Sequence, residues 1–166
     1  GSGSSSTHPS LLAIEHAVAP RPTVRADFPY RLAGRRAPDR PPVLLQTVVD
    51  AAHDLSTPVV GHCRNSLSTK EAAEAGMDLI YHASYMDDDA LEAVISHGTA
   101  LCPTFTLLGN LYDYGERVGT NPDLLNVFKA ELEVTGRAIG KATRQNACHG
   151  DWPSTRAASS KPRPWA

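Results

Sequence analysis

The chain has 166 residues, 41% of them hydrophobic, and a formal net charge of -2. This length supports one domain with a hydrophobic core, but a complete α/β barrel usually needs about 200 to 250 residues. The interspersed charges exclude a basic nucleic-acid-binding stripe and a polycationic membrane surface, and no apolar run approaches the roughly 20 residues that cross a bilayer. Three cysteines without a Cys-x-x-Cys pair favour a reducing compartment, so we expect a soluble, cytoplasmic protein.

Both ends of the chain have compositions that predict little regular structure. Residues 1–10 are mostly Gly and Ser and are typical of a linker. Residues 11–42 contain six arginines, no lysine and six prolines, which predict an irregular segment. Residues 144–166 are polar and proline-rich and predict an irregular tail. The ordered domain is therefore expected over residues 43–143.

The ordered part begins with a helix and a short strand. Apolar residues recur at helical spacing from Val43 to Leu55, and residues 56–58 (Ser-Thr-Pro) end the pattern. Residues 58–62 are apolar and β-branched between breakers, which predicts a buried strand that ends at His62.

Two further helix and strand pairs follow. Ser68 and Glu71 have the form of a capping box, Gly76 suits a helix end, and residues 78–82 form a second strand that ends at His82. Asp87 is expected to cap the next helix, which Gly98 closes before a third strand at residues 99–102.

The strand ends repeat at a constant interval, since His62, His82 and Cys102 are each 20 residues apart. Each interval holds a short helix, which is about the shortest crossover that joins parallel strands. The sequence therefore predicts parallel α/β architecture. A long loop at residues 103–119 should follow, and then a helix that starts at Asn121 and Pro122 and runs to about Lys141.

His62 and His82 are the main candidates for chemistry. Ligand sites of parallel sheets lie at the carboxyl ends of the strands, where both histidines are expected. Neutral imidazole is the commonest protein ligand for zinc-like metals, and a bound metal activates water for hydrolysis of amide, urea or carbamate bonds. The alternative is that both histidines are hydrogen-bonded structural residues, and the spacing alone leaves both interpretations open.

Other polar residues are weaker candidates. His53 and His97 fall on helices and are expected to be solvated or packing residues. Cys63 is expected to be buried, and the acidic residues 87–89 are better explained as a helix cap and first-turn acids than as a calcium site. Tyr112 and Tyr114, with the aspartate between them, lie in the predicted loop after the third strand and are candidates for substrate binding.

Residues 48–53, 58–62, 74–82 and 98–105 together resemble the imidazolonepropionase-like and dipeptidase-like branch of the metal-dependent amidohydrolase superfamily. The resemblance covers about residues 43–141. It implies a partial (β/α)8 TIM-like barrel from about strand five to strand seven. It also implies that His62 and His82 close strands five and six and bind one or two divalent metal ions, with zinc as the expected ion.

The chain departs from the family pattern at several positions. Tyr81 stands where the family usually has an acid, and Arg64 where it often has a second histidine. The upstream His-x-His pair is missing, and the first lysine, Lys70, comes after His62 although the family's bridging lysine precedes it. Asp151 follows no predicted strand and is not expected to be catalytic. A frame shift within the codons for residues 146–152 would permit a sequence close to the family's eighth strand, which is a hypothesis that sequencing the DNA decides.

These observations lead to one main expectation and two alternatives. The main expectation is an internal fragment of a hydrolase that cleaves C–N bonds of a small amide, cyclic amide, dipeptide, urea or carbamate, and that is inactive as this chain alone. Its open strand edges should favour self-association or a complementing chain. The alternatives are a non-enzymatic α/β module with structural histidines, and a piece that completes a barrel together with a partner chain.

Overall fold

The computed structural model describes residues 5–144, which fold into a three-stranded parallel sheet with helices along the chain. The elements in chain order are α1 (Pro9–Val18), α2 (Pro29–Leu32), α3 (Pro41–His53), β1 (Val60–Cys63), α4 (Ser66–Glu74), β2 (Leu79–His82), α5 (Asp88–His97), β3 (Ala100–Cys102), α6 (Phe105–Tyr114), a short 3-10 helix (Gly115–Val118) and α7 (Pro122–Arg144). The α/β class expected from the repeated strand and helix pattern is confirmed.

The sheet has the order β1-β2-β3, and both strand pairs are parallel. The register pairs His62 with Tyr81 and Tyr81 with Cys102, so the three strands end at the same edge of the sheet. Gly76 and Gly98 have φ angles of +87° and +64°, a region that glycine enters without steric cost, and each ends the turn that leads from a helix into a strand.

Helices α4 and α5 pack against each other and cover one face of the sheet. Ile80 of β2 and Val94 of α5 are fully buried in this core, and Val49 of α3 is 1% exposed. Burying a side chain of this size contributes about 1.5–3 kcal/mol. Successive strand residues point to opposite faces, so Cys63 is buried in this core while His62 lies on the exposed face.

The long helix α7 packs mainly on α6 and also contacts α5. Its buried residues are Leu125, Glu131, Thr135 and Ala142, of which the last three lie on one face of the helix. Because α7 runs back along the molecule, Glu131 reaches the end of the sheet where the histidines lie. Within residues 5–144, no helix is long and apolar enough to cross a membrane.

The structure differs from the sequence expectations in the flanks. Residues 11–42 contain most of α1 and all of α2, because Pro9 and Pro29 stand in the first turns of helices, where the missing N–H costs nothing. Asp27 also binds Ser6 through both the backbone N–H and the hydroxyl of that serine. The predicted linker and irregular segment therefore include ordered structure. Residues 1–4 and 145–166, including Asp151 and the site of the frame-shift hypothesis, lie outside the described residues.

Two local predictions are wrong. The predicted loop 103–119 is largely helical, because Leu108 and its apolar neighbours at helical spacing have α7 to pack against. Helix α4 begins before the predicted capping box, since the Asn65 side chain accepts a hydrogen bond from the N–H of Ser68 at 2.8 Å and caps the helix. The Asp87 cap of α5 is confirmed by the 2.9 Å hydrogen bond that its carboxylate accepts from the N–H of Ala90.

Candidate functional site

The structure brings His62 and His82 together at the carboxyl end of the sheet. His62 lies on β1 and His82 ends β2, and the Nδ1 atom of His62 is 3.0 Å from the Nε2 atom of His82. The ring centroids are 5.1 Å apart, and the His62 ring also contacts the Tyr81 ring at a centroid distance of 4.9 Å. The expected adjacency of the two imidazoles is therefore observed.

The backbone around His82 adopts an uncommon conformation. His82 and Ala83 have φ angles of +72° and +48°, and Thr104, at the exit of β3, has a φ of +53°. Non-glycine residues in this left-handed region each carry strain of about 1–3 kcal/mol, and such residues cluster at functional sites. In this backbone conformation the His82 ring lies across the rim of the sheet, and its Nδ1 atom is 2.6 Å from the Thr104 hydroxyl oxygen.

The environment of His82 favours the neutral imidazole. Burial lowers the pKa of His82 below its usual value, and the neighbouring His62 ring and Arg64 guanidinium lower it further, while the carboxylate of Glu131 opposes the shift. A neutral imidazole can bind a metal, whereas an imidazolium cannot. The electrostatics of the rim therefore keep His82 in the form that a metal ligand requires.

A buried carboxylate joins the two loops that follow the histidines. Glu131 of α7 is 2% exposed, and both of its oxygens accept hydrogen bonds from Nη2 of Arg64 at 2.7 Å. The hydroxyl of Ser84 donates to the same carboxylate at 2.6 Å. Arg64 stands two residues after His62, and Ser84 stands two residues after His82. Glu131 thus holds both strand ends in place through Arg64 and Ser84, which stand at the same distance after the two histidines.

The two ring nitrogens are close to the separation that a shared metal ion requires. Zn–N bonds of about 2.0–2.1 Å with tetrahedral angles place two imidazole nitrogens about 3.3 Å apart, and the observed distance is 3.0 Å. The distance is also that of a hydrogen bond between the two rings, so both rings would have to turn, and to separate by a few tenths of an ångström, before the two nitrogens could face one ion. Among residues 5–144, no group of three or more His, Cys, Asp or Glu side chains could hold a metal, so this part of the chain offers two such ligands and not three.

Tyr112 and Tyr114, the predicted substrate-binding residues, lie on helix α6 and not in a loop. Both side chains are exposed, at 39% and 53%. Tyr112 lies 5.8 Å from the ammonium of Lys129 and Tyr114 lies 6.0 Å from the guanidinium carbon of Arg117, in cation–π contacts. No hydrogen bond or ring contact of the described residues joins either tyrosine to the histidines, and their role with substrate stays a prediction.

The other histidines and Cys63 have local structural contacts. His53 contacts Asp78, with its Nε2 atom 2.8 Å from a carboxylate oxygen that also accepts a hydrogen bond from the N–H of Val59. Nδ1 of His97 is 2.9 Å from the carbonyl oxygen of Ala93 in its own helix. Cys63 is buried, and burial raises the pKa of its thiol, which disfavours the thiolate needed for nucleophilic attack.

Sequence reasoning missed three residues that shape the site, namely Ser84, Thr104 and Glu131. Thr104 enters the sequence analysis only within residues 98–105, which carry part of the family resemblance. Glu131 carried a usable signal, because it lies on the same helix face as Thr135 and Ala142, where a charged residue must find a buried partner. Its partner could not be identified from the sequence, since Arg64 is 67 residues away along the chain.

Comparison with known proteins gives sequence relatives for part of the chain and solved structures that share its fold. No family profile matches the chain. Uncharacterized proteins of Mycobacterium tuberculosis and Mycobacterium bovis are 30% identical over 96 residues, which is 58% of this chain and 26% of each relative. The chain therefore spans about a quarter of the length of the curated relatives that it matches.

Solved structures give a broader match. A Xaa-Pro dipeptidase with bound methionine superposes with a TM-score of 0.54 at 24% identity, over 69% of this chain and 28% of the dipeptidase. A prolidase complexed with N-methylphosphonate-L-proline gives 0.57 at 18% identity over 67% and 27% of the two chains. The ochratoxinase of A. niger gives 0.56 at 18% identity over 68% and 25%. The chain thus shares the fold of a segment of each of these solved structures.

Proposed function

We propose that this chain is a segment of a metal-dependent amidohydrolase barrel, from about strand five to strand seven, and that His62 and His82 are two of its metal ligands. The observation that carries the proposal is the 3.0 Å approach of the two imidazoles at the carboxyl ends of adjacent parallel strands. The likeness to segments of a dipeptidase, a prolidase and an amidohydrolase supports the hydrolase class. The bonds that it would cleave are C–N bonds of small amide-type substrates.

The residues around the two histidines can orient them as metal ligands. The Thr104 hydroxyl holds the Nδ1 side of His82, which leaves Nε2 directed at Nδ1 of His62. Glu131, through Arg64 and Ser84, fixes the two loops behind the histidines. A divalent cation, with zinc as the first candidate, supplies activated water and carbonyl polarisation when it is bound. The histidines hold the ion, and the network behind them limits their movement.

The proposal also predicts the limits of this chain. A catalytic zinc site has three protein ligands and an open position, whereas residues 5–144 bring two imidazoles together. We therefore propose that the chain alone binds metal weakly and does not turn over substrate. The open edges of β1 and β3 and the exposed face that carries His62 would meet other strands of a barrel, either in a longer chain or in a complementing partner.

Zinc titration tests the ligand assignment. The protein is titrated with ZnCl2 at pH 7.5 by isothermal calorimetry, and the His62→Ala and His82→Ala variants are compared with a His16→Ala control on the exposed face of α1. We expect each site variant to weaken zinc binding by at least about tenfold, because one of two ligands is lost. The His16 control should bind as the wild type does.

The alternative of a non-enzymatic module is favoured by one observation, which is that no set of three metal-ligating side chains forms within residues 5–144. Unchanged zinc affinity in the double variant His62→Ala/His82→Ala would establish that reading and remove the hydrolase assignment. Size-exclusion chromatography with and without zinc adds a second readout, since a complementing or self-associating fragment should increase in size.

A further inference from the structure

We propose that a cavity beside α3 binds a small organic cation, namely a primary ammonium group carried on an apolar body. The inference goes beyond the proposed function, since none of the residues that line the cavity belongs to the histidine rim. It rests on the shape of the cavity, on its apolar walls and on the single sign of its charges.

The cavity lies between α3 and residues 26–32, and its volume is about 520 Å³. Small-molecule sites have volumes of about 300–1,000 Å³. Much of the lining comes from α3 and its C-cap, at positions 43, 46, 47, 50, 51 and 54. This spacing places them on one face of the helix, whereas Leu45, Val49 and Ala52, which pack on the core, lie on the opposite face. One face of α3 therefore serves the core and the other forms the cavity.

The walls of the cavity are mainly apolar. Pro29 and Leu32 stand on one side, and Val43 and Ala51 of α3 stand on the other. Leu32 is 74% exposed and Val43 is 44% exposed, so both leave apolar surface in contact with water. A ligand with an apolar body removes this surface from water, which favours its binding.

The charged groups of the lining are all acidic. Asp27, Asp50 and Asp54 line the cavity, whereas its described lining includes no lysine, arginine or histidine. Two hydrogen bonds from Ser6, with a smaller effect from the Arg31 guanidinium outside the lining, lower the pKa of Asp27 and keep its carboxylate ionised. A cation is therefore attracted to this cavity and an anion is repelled.

Asp54 marks the end of the cavity where a positive charge gains most. It is the C-cap residue of α3, where the last carbonyl groups of a helix carry partial negative charge. Within the described part of the chain, no hydrogen bond or ion pair holds its carboxylate. Asp50 stands one turn earlier on the same face, and like charges four residues apart repel each other. A bound ammonium group would relieve this repulsion.

The arrangement favours an organic cation over a metal ion. Three carboxylates line the cavity, but no group of three or more acidic, histidine or cysteine side chains in residues 5–144 lies close enough to hold one metal ion. A hydrated metal ion would also gain nothing from the apolar walls. An ammonium group offers three N–H donors to the carboxylates, while the body that carries it fills the apolar part.

The test is an NMR titration of the full 15N-labelled chain at neutral pH in EDTA, so that no metal contributes. The probes are phenethylamine, phenethyl alcohol and hydrocinnamate, which have similar bodies and carry a positive charge, no charge and a negative charge. We expect the backbone amide signals of Gln46, Asp50 and Asp54 to shift saturably with the amine. The amine should bind at least about tenfold more tightly than the alcohol, and hydrocinnamate should bind most weakly.

Charge-removing variants locate the ammonium group. Asp54→Asn should weaken amine binding by at least about threefold, and Asp50→Asn/Asp54→Asn by at least about tenfold, while alcohol binding stays unchanged. Asp113→Asn, an exposed position on α6, is the matched control and should bind the amine as the wild type does. Ala51→Leu fills the cavity without a change of charge and should weaken the binding of both probes, which keeps the test valid if the asparagine variants lose structure.

Several results would overturn the inference. They include equal affinity for the amine and the alcohol, and unchanged amine binding in the double variant. Shifts of the lining signals that depend on protein concentration alone would assign the cavity to a second copy of the chain. Nuclear Overhauser contacts from Trp152 or Trp165 would assign it to the chain's own carboxyl-terminal residues. Zinc binding at the histidines is measured separately, so that either proposal can fail while the other holds.

Discussion

Removing the Arg64 side chain should destabilise the protein through Glu131. The Arg64→Ala variant leaves a carboxylate that is 2% exposed with the Ser84 hydroxyl as its remaining donor. An unsatisfied buried polar group costs about 1–3 kcal/mol. The loss should stay below the roughly 3–5 kcal/mol seen when a fully buried pair is broken, because Arg64 is 54% exposed and solvent screens its charge.

A double-mutant cycle measures this contribution. The free energies of unfolding of the wild type, Arg64→Ala, Glu131→Gln and the double variant are determined by urea denaturation, followed by far-UV circular dichroism at pH 7. We expect Arg64→Ala to lower the free energy of unfolding by about 1–3 kcal/mol. The double variant should lose less than the sum of the two single losses, by at least about 1 kcal/mol. The reasoning is refuted if the free energy of unfolding of Arg64→Ala is within about 0.3 kcal/mol of the wild-type value, or if the effects of the two single substitutions are additive.

Three further predictions concern glycine, aspartate and cysteine residues. Gly98→Ala should lower the free energy of unfolding by about 1–2 kcal/mol, because the φ angle of Gly98 is +64°. Gly109→Ala should raise it by about 0.5–1 kcal/mol, because Gly109 lies in a helix and the added methyl group meets open space. Urea denaturation compares the two variants. The hydrogen bond to Ser66 and the bond from the N–H of Ala90 lower the pKa of Asp87, so its stabilisation is complete above the ordinary aspartate pKa and is lost as pH falls through the lowered value. Thermal melts between pH 5 and pH 2 (about the aspartate range) should therefore show a smaller acid-dependent decrease for Asp87→Ala than for the wild type. Iodoacetamide should label Cys63 more slowly than Cys102 in the native protein, because burial protects the Cys63 thiol and raises its pKa. Peptide mass spectrometry before and after urea denaturation gives the labelling rates. Equal rates in the native protein would contradict the burial of Cys63.

The repeated pattern of the central segment was sufficient to predict its architecture. The 20-residue spacing of His62, His82 and Cys102, with a short helix in each interval, favoured a parallel arrangement. The observed register brings the three strand ends to the same edge, although β1 ends one residue later than predicted, with Cys63 opposite His82. The same pattern predicted the cap at Asp87 and the left-handed glycines. These features depend on residues that are close in the sequence, so local propensity and periodicity were enough.

Proline was misleading as a signal in the flanks. The prolines of residues 11–42 predict interrupted helices, but Pro29 and Pro41 stand in the first turns of α2 and α3. The predicted loop after β3 became α6 because its apolar side chains found α7 to pack against. Whether such a segment folds as helix is decided by a distant surface, which the local sequence does not contain.

The sequence by itself determined the order of the elements from α3 to β3, the parallel sheet and the placement of two histidines near strand ends. Only the tertiary structure decided that Nδ1 of His62 approaches Nε2 of His82, that Thr104 holds the other side of the His82 ring, and that Glu131 joins the two loops through Arg64 and Ser84. The reason is physical: these side-chain contacts join residues 20 to 67 positions apart, and they follow from the pairing of the strands and the packing of α7 against the rim rather than from any local pattern.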